Sequence, residues 1–157
     1  MDNELKMELK PIGLVNSPIR EKPANGFNWR EIVAEIVIRP ELAEGLDGLA
    51  DFSHIMVYWW MHQATDPAKM ALKVYPRGRK ELPPVGVFAS RSPYRPNSIG
   101  RATVRLLERR DNILLVQGLD AIDGTPVLDI KPFIPGYDSP AEGASAPEWA
   151  TRHQRQV

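Results

Sequence analysis

At 157 residues, with 43% apolar and 25% charged residues, the chain has the size and composition of one globular domain with its own hydrophobic core. Twenty Lys and Arg balance twenty Asp and Glu, which excludes a global field that draws in a polyanion; any nucleic-acid contact has to come from a local patch. The lack of cysteine excludes disulfides, thiolate metal sites and a cysteine nucleophile.

Met1 to Lys10 is charged rather than apolar and does not read as a signal peptide. The longest apolar run, Ile55 to Met61, is too short to span a bilayer, so the expectation is a cytoplasmic protein with no membrane partner. Fifteen prolines and eleven glycines point to many short elements joined by turns.

Pro11 to Ser17 reads as a first strand, closed by Ser17-Pro18. A polar loop with Asn25-Gly26 turn chemistry follows, carrying Phe27 and Trp29. Ile32 to Ile38 is rich in branched residues and reads as a second strand. Pro40 opens a helical turn over Glu41 to Leu49, with Leu42, Leu46 and Leu49 at helical spacing. Phe52 to His62 is the longest strand candidate, with Ile55, Val57, Trp59 and Met61 on the core face. His54 and His62 lie eight residues apart on it, roughly 26 Å, and cannot share an ion. With His153 in the tail, no histidine metal site is expected.

Ala64 to Pro84 reads as a loop with a basic cluster at Lys73, Arg77, Arg79 and Lys80. Gly86 to Gly100 then starts as a short apolar strand (Val85, Val87, Phe88) and continues as a stiff loop, because Pro93 and Pro96 remove backbone donors and hold Ser92 and Arg95 extended. The forked cations Arg91 and Arg95 on such a loop suit a carboxylate or phosphate; a surface turn with locally paired arginines is the other reading. Arg101 to Arg109 alternates as a strand, with Ala102, Val104 and Leu106 on one face. Its partner, Asn112 to Leu119, follows a tight turn and completes a hairpin. Asp123-Gly124 is a turn signal before a last strand, Val127 to Lys131, and Asp120 ends an apolar run where an acid caps or binds. Six or seven short strands with little helix imply an all-β, mainly antiparallel fold: a single-sheeted β-barrel with short helical turns.

Three stretches, Phe52-Ser53-His54-Ile55, Gly86 to Gly100 and Asp123-Gly124-Thr125-Pro126-Val127-Leu128-Asp129-Ile130-Lys131-Pro132, resemble the TsaA-like domain of the tRNA threonylcarbamoyladenosine N6-methyltransferases. The resemblance runs over residues 9–139 and leaves 140–157 as a surface tail. It implies a β-barrel that binds S-adenosyl-L-methionine, works as a homodimer and takes tRNA as substrate; with no histidine site, no metal is expected. The implied cofactor site falls on His62, Gln63, Arg91, Arg101, Asp120, Ala121, Ile122 and Asp123. Arg91 suits the methionine carboxylate, Asp120 the ribose hydroxyls or amino group, and Trp60 or Phe88 the sulfonium. Asp120 and His62 are the candidate proton acceptors, with Tyr94 as an orienting hydroxyl. Arg95, Asn97 and Lys131 are expected on the substrate side, and Arg105 and the 73–80 cluster near phosphates. The chain departs from the family pattern in the loop 22–29, at Ser90 in place of threonine, and at Ser98 in place of a proline. These departures leave open a smaller methyl acceptor, or a barrel that binds the cofactor without turnover.

Overall fold

The computed structural model describes residues 5–140 and 142–151; His153 and the end of the expected tail lie outside them. Two compact units make up the chain: Met1–His62 with Ile99–Phe133, and Gln63–Ser98 with Ile134–Val157.

The first unit is the barrel. Its six strands are β1 (Gly13–Asn16), β2 (Val33–Ile38), β3 (His54–Trp60), β6 (Ile99–Arg110), β7 (Ile113–Gln117) and β8 (Pro126–Pro132). They close in the order β1-β2-β7-β6-β3-β8, every pair antiparallel. Period-2 alternation turns Val15, Ala34, Ile36, Ile38, Ile55, Val57, Trp59, Val104, Leu114, Val116 and Val127 into one buried cluster. This is the expected mainly antiparallel β-barrel.

Two bulges shape it. Leu128 has no partner where Tyr58 faces Asp129 and Trp59 faces Val127. Leu107 is likewise skipped between Leu106 and Glu108. Each bulge reverses the in–out parity beyond it, which lets Val127 and Ile130 both pack inward.

The strand expected over Phe52 to His62 is trimmed to His54–Trp60, so its ladder ends one residue before the apolar run does. Met61 lies just beyond the strand, half-buried, and still packs against the core cluster as expected. The helical turn over Glu41 to Leu49 resolves into two 3-10 helices, Pro40–Leu46 and Leu49–Asp51. Gly48 separates them at φ 86°, a left-handed conformation that a continuous helix cannot contain. Arg109 pins the first to the β6–β7 hairpin, with Nη1 2.8 Å from Asp47 Oδ1, Nη2 3.0 Å from the Ala43 carbonyl and Nε 2.8 Å from the Asp111 carbonyl.

In the second unit, the expected loop 64–84 contains a two-residue strand, β4 (Lys73–Val74). It pairs with β5 (Val85–Gly86), so the apolar strand expected through Phe88 stops at Gly86 and becomes a 3-10 turn, Val87–Ala89. Short 3-10 turns also occur at Pro67–Lys69 and Pro76–Gly78. A short helix, α1 (Glu148–Thr151), lies in the carboxy-terminal segment. No helix of the described residues is long and apolar enough to cross a membrane, and no group of three His, Asp or Glu among them is placed to hold a metal.

Candidate functional site

The loop after β5 is stiffened by side chains as well as by its prolines. Ser90 Oγ donates to the Val87 carbonyl at 2.8 Å and accepts from the Ser92 amide at 3.3 Å. Arg95 Nη1 donates to the carbonyls of Ser90 (3.0 Å) and Ser92 (3.3 Å), the residues on either side of Arg91. Ser98, buried, donates its hydroxyl to the carbonyls of Pro93 (2.9 Å) and Ala64 (3.2 Å), tying the end of the loop to its middle and to the segment after β3. The backbone around Arg91 is thus held from both sides. Its exposed guanidinium has no partner among the described residues, leaving its donors available to an anion. Arg95, expected on the substrate side, spends one guanidinium nitrogen, Nη1, inside the loop. Gln63 and Asn97 are exposed and Tyr94 is half-buried.

On the barrel, the β7–β8 turn is stitched to the end of β1. Asp123 Oδ1 accepts from the Ser17 amide at 3.0 Å, and the Asp123 amide donates to the Ile19 carbonyl at 2.7 Å. Thr125, buried, donates its hydroxyl to the Ile122 carbonyl at 2.7 Å. These bonds sort the four expected residues. Ala121 is buried in the core, Ile122 has its carbonyl committed to the turn, and Asp123 is a clasp. Asp120 is the exposed member, set on a turn whose neighbours are fixed.

His62 follows β3 in a tight turn, its amide 2.9 Å from the Trp60 carbonyl and its ring 6.3 Å from that of half-exposed Trp60. Arg101 lies on the outer face of the barrel, because its neighbour Gly100 points inward against Trp59. The guanidinium contacts Met56 Sδ (3.0 Å) and Thr103 Oγ1 (3.4 Å). Lys131 shares that outer face, registered with Met56 and 3.4 Å from Asp129 Oδ2. Arg101 and Lys131 are thus both neighbours of Met56 on the outer face of the barrel.

Residues 15–139 match the family model described as the tRNA-methyltransferase O N-terminal domain. The chain belongs to this family. A protein of Archaeoglobus fulgidus described as an S-adenosyl-L-methionine-binding protein is 44% identical over 135 residues, covering 84% of this chain and 93% of its own. One from Methanothermobacter thermautotrophicus, described as a probable S-adenosyl-L-methionine-binding protein, is 43% identical over 141 residues, 87% of this chain and 97% of its own. The crystal structure of TrmO superposes with a TM-score of 0.72 at 34% identity, over 90% of this chain and 64% of that one. The chain thus spans less than two-thirds of the solved TrmO chain.

Within the family pattern, Ser98 is more than a missing proline. Its hydroxyl ties the loop through two carbonyls, a role that residue type alone does not reveal, since both acceptors are backbone atoms of other residues. Ser98→Ala is expected to cost about 1–2 kcal/mol and to speed amide hydrogen exchange at Tyr94 and Arg95, whose amides bond within this loop. Unchanged exchange there would show that the hydroxyl is not what holds the loop. Asp123→Ala is expected to cost a similar ~1–2 kcal/mol, by leaving the Ser17 amide without its acceptor. A melting curve checks it, and Asp123→Asn, which keeps an acceptor oxygen, is expected to recover most of the loss.

Proposed function

We propose that this chain binds S-adenosyl-L-methionine and transfers its methyl group to N6 of threonylcarbamoyladenosine in tRNA. The observation that carries the reading is Arg91, an exposed guanidinium with no hydrogen-bond or ion-pair partner among the described residues, on a loop held by Ser90, Arg95 and Ser98. A fork fixed in advance takes a carboxylate with little further loss of side-chain freedom. The family match and the names of the relatives support the cofactor.

When bound, S-adenosyl-L-methionine supplies an electrophilic methyl on a sulfonium. Arg91 takes the methionine carboxylate. Trp60, whose ring is half exposed beside His62, offers a π-face to the sulfonium charge. Asp120 accepts from ribose hydroxyls or the amino group. The acceptor nitrogen is poorly nucleophilic because its lone pair is delocalised into both ring and carbonyl. Alignment therefore contributes most, with His62 or Asp120 receiving the proton and Tyr94 orienting the acceptor. We further propose that 9–139 is the functional domain and that the chain works as a homodimer.

Two assays on one preparation test this reading: calorimetric titration with S-adenosyl-L-methionine, and transfer of labelled methyl to unfractionated tRNA. Binding with transfer supports it. Binding without label in tRNA contradicts the tRNA assignment, and absence of binding contradicts the cofactor assignment.

A further inference from the structure

The charge of this neutral chain is not evenly spread. Residues 63–98 carry seven Lys and Arg against two Asp and Glu, whereas the rest carries thirteen against eighteen. Both acids of the segment are engaged: Glu81 lies 2.6 Å from Arg79, whose hydrogen bond holds its carboxyl below the usual range, and Asp66 caps the Ala68 amide at 3.0 Å. Arg77 and Arg95 also spend a guanidinium nitrogen on carbonyls. Lys69, Lys73 and Lys80 are exposed and have no ion pair among the described residues.

The same segment exposes apolar rings and chains: Phe88 at 77%, Leu72 at 67%, and Tyr75 and Met70 at over 40%. Phe88 is not loose. It sits in the Val87–Ala89 turn between Val87, which is buried, and the Ser90 bonds already described. The Val87 amide donates to the Leu72 carbonyl at 2.8 Å, which sets Leu72 beside the start of that turn, with Lys73 next in line opposite Gly86. A rigidly presented ring interleaved with unpaired lysines matches the requirements of single-stranded RNA, whose unstacked bases offer a π-face and whose phosphates need cations.

We propose that the 63–98 segment is the RNA-facing element, with one unpaired base stacked on Phe88 and flanking phosphates held by Lys69, Lys73 and Lys80. This rests on the tRNA reading above and deepens it by naming the surface and the form of RNA it takes. A second copy meeting the same face would set positive against positive, so a polyanion fits better than an isologous contact.

The test measures binding of an RNA hairpin with a single-stranded loop, and of a blunt RNA duplex of equal length, across a salt series. The wild type is expected to prefer the hairpin. Phe88→Ala is expected to weaken hairpin binding about ten- to a hundred-fold, with the salt slope unchanged. The triple alanine variant at Lys69, Lys73 and Lys80 is expected to flatten the log–log slope by about 2. Equal affinity of Phe88→Ala and wild type overturns the stacking assignment. A drop in sedimentation mass for Phe88→Ala with RNA affinity intact reassigns the ring to a contact between copies, and a parallel loss of cofactor affinity reassigns it to the sulfonium; both overturn the proposal. Phe88-dependent hairpin binding without methyl transfer to tRNA supports this surface while contradicting the reaction, so the two readings fail separately.

Discussion

Gly100→Ala is expected to lower the melting temperature by about 5–10 °C, equivalent to about 2–3 kcal/mol of overpacking. Gly100 is the inward residue at the start of β6, registered with Trp59, and an added methyl there would overlap the indole atoms Cε2, Nε1 and Cζ2. Trp59 is itself buried in the barrel core, so the ring has nowhere to retreat without disturbing its neighbours. Two controls separate this clash from a general intolerance of alanine. Gly86→Ala, where an added methyl meets nothing within 4 Å and φ is −61°, is expected to be near neutral. Trp59→Leu in the Gly100→Ala background is expected to cost less than the sum of the single changes, because the shorter chain vacates the contested space. A melting temperature of Gly100→Ala equal to that of the wild type would contradict the packing described for this end of the barrel.

Arg91→Ala is expected to weaken S-adenosyl-L-methionine binding about ten- to a hundred-fold, the loss of a charge-assisted bond worth ~1.5–3 kcal/mol. Arg91 is exposed and makes no hydrogen bond or ion pair within the described residues, so the melting temperature is expected to stay within a degree or two. Arg91→Lys keeps the charge without the planar fork and is expected to recover only part of the affinity. Arg95→Ala supplies the contrast. Its guanidinium holds the carbonyls on either side of Arg91, so its removal acts through the loop and is expected to lower stability as well as affinity. Calorimetric titration of the three variants reads both effects. Undiminished binding in Arg91→Ala would contradict the assignment of the carboxylate.

Most strands were legible because a half-buried strand advertises itself by alternation. Ile55, Val57 and Trp59 alternate with less buried residues, and Ala34, Ile36 and Ile38 do the same. Closure into a barrel followed from strand number and the shortage of helix. What stayed hidden lacked periodicity. The two-residue strands β4 and β5 are too short to alternate, and the break at Gly48 depends on a backbone angle. Within the site, the stiffness of the Arg91 loop could be read from Pro93 and Pro96, but not the hydroxyl and guanidinium bonds that complete it. Those bonds run to backbone carbonyls, which carry no residue signature. Ala121 and Arg101 show the other limit: the resemblance named both for the cofactor site, and burial of one and the outer-face position of the other could not be read from residue type.

The proposed methylation of N6 of threonylcarbamoyladenosine in tRNA is tested by locating the transferred methyl. Transfer RNA incubated with the protein and labelled S-adenosyl-L-methionine is digested to nucleosides and separated, with Arg91→Ala run in parallel. The expected result is label in N6-methylated threonylcarbamoyladenosine alone, reduced at limiting cofactor in the variant. Label in another nucleoside, or none in tRNA from a protein that binds the cofactor, would contradict it.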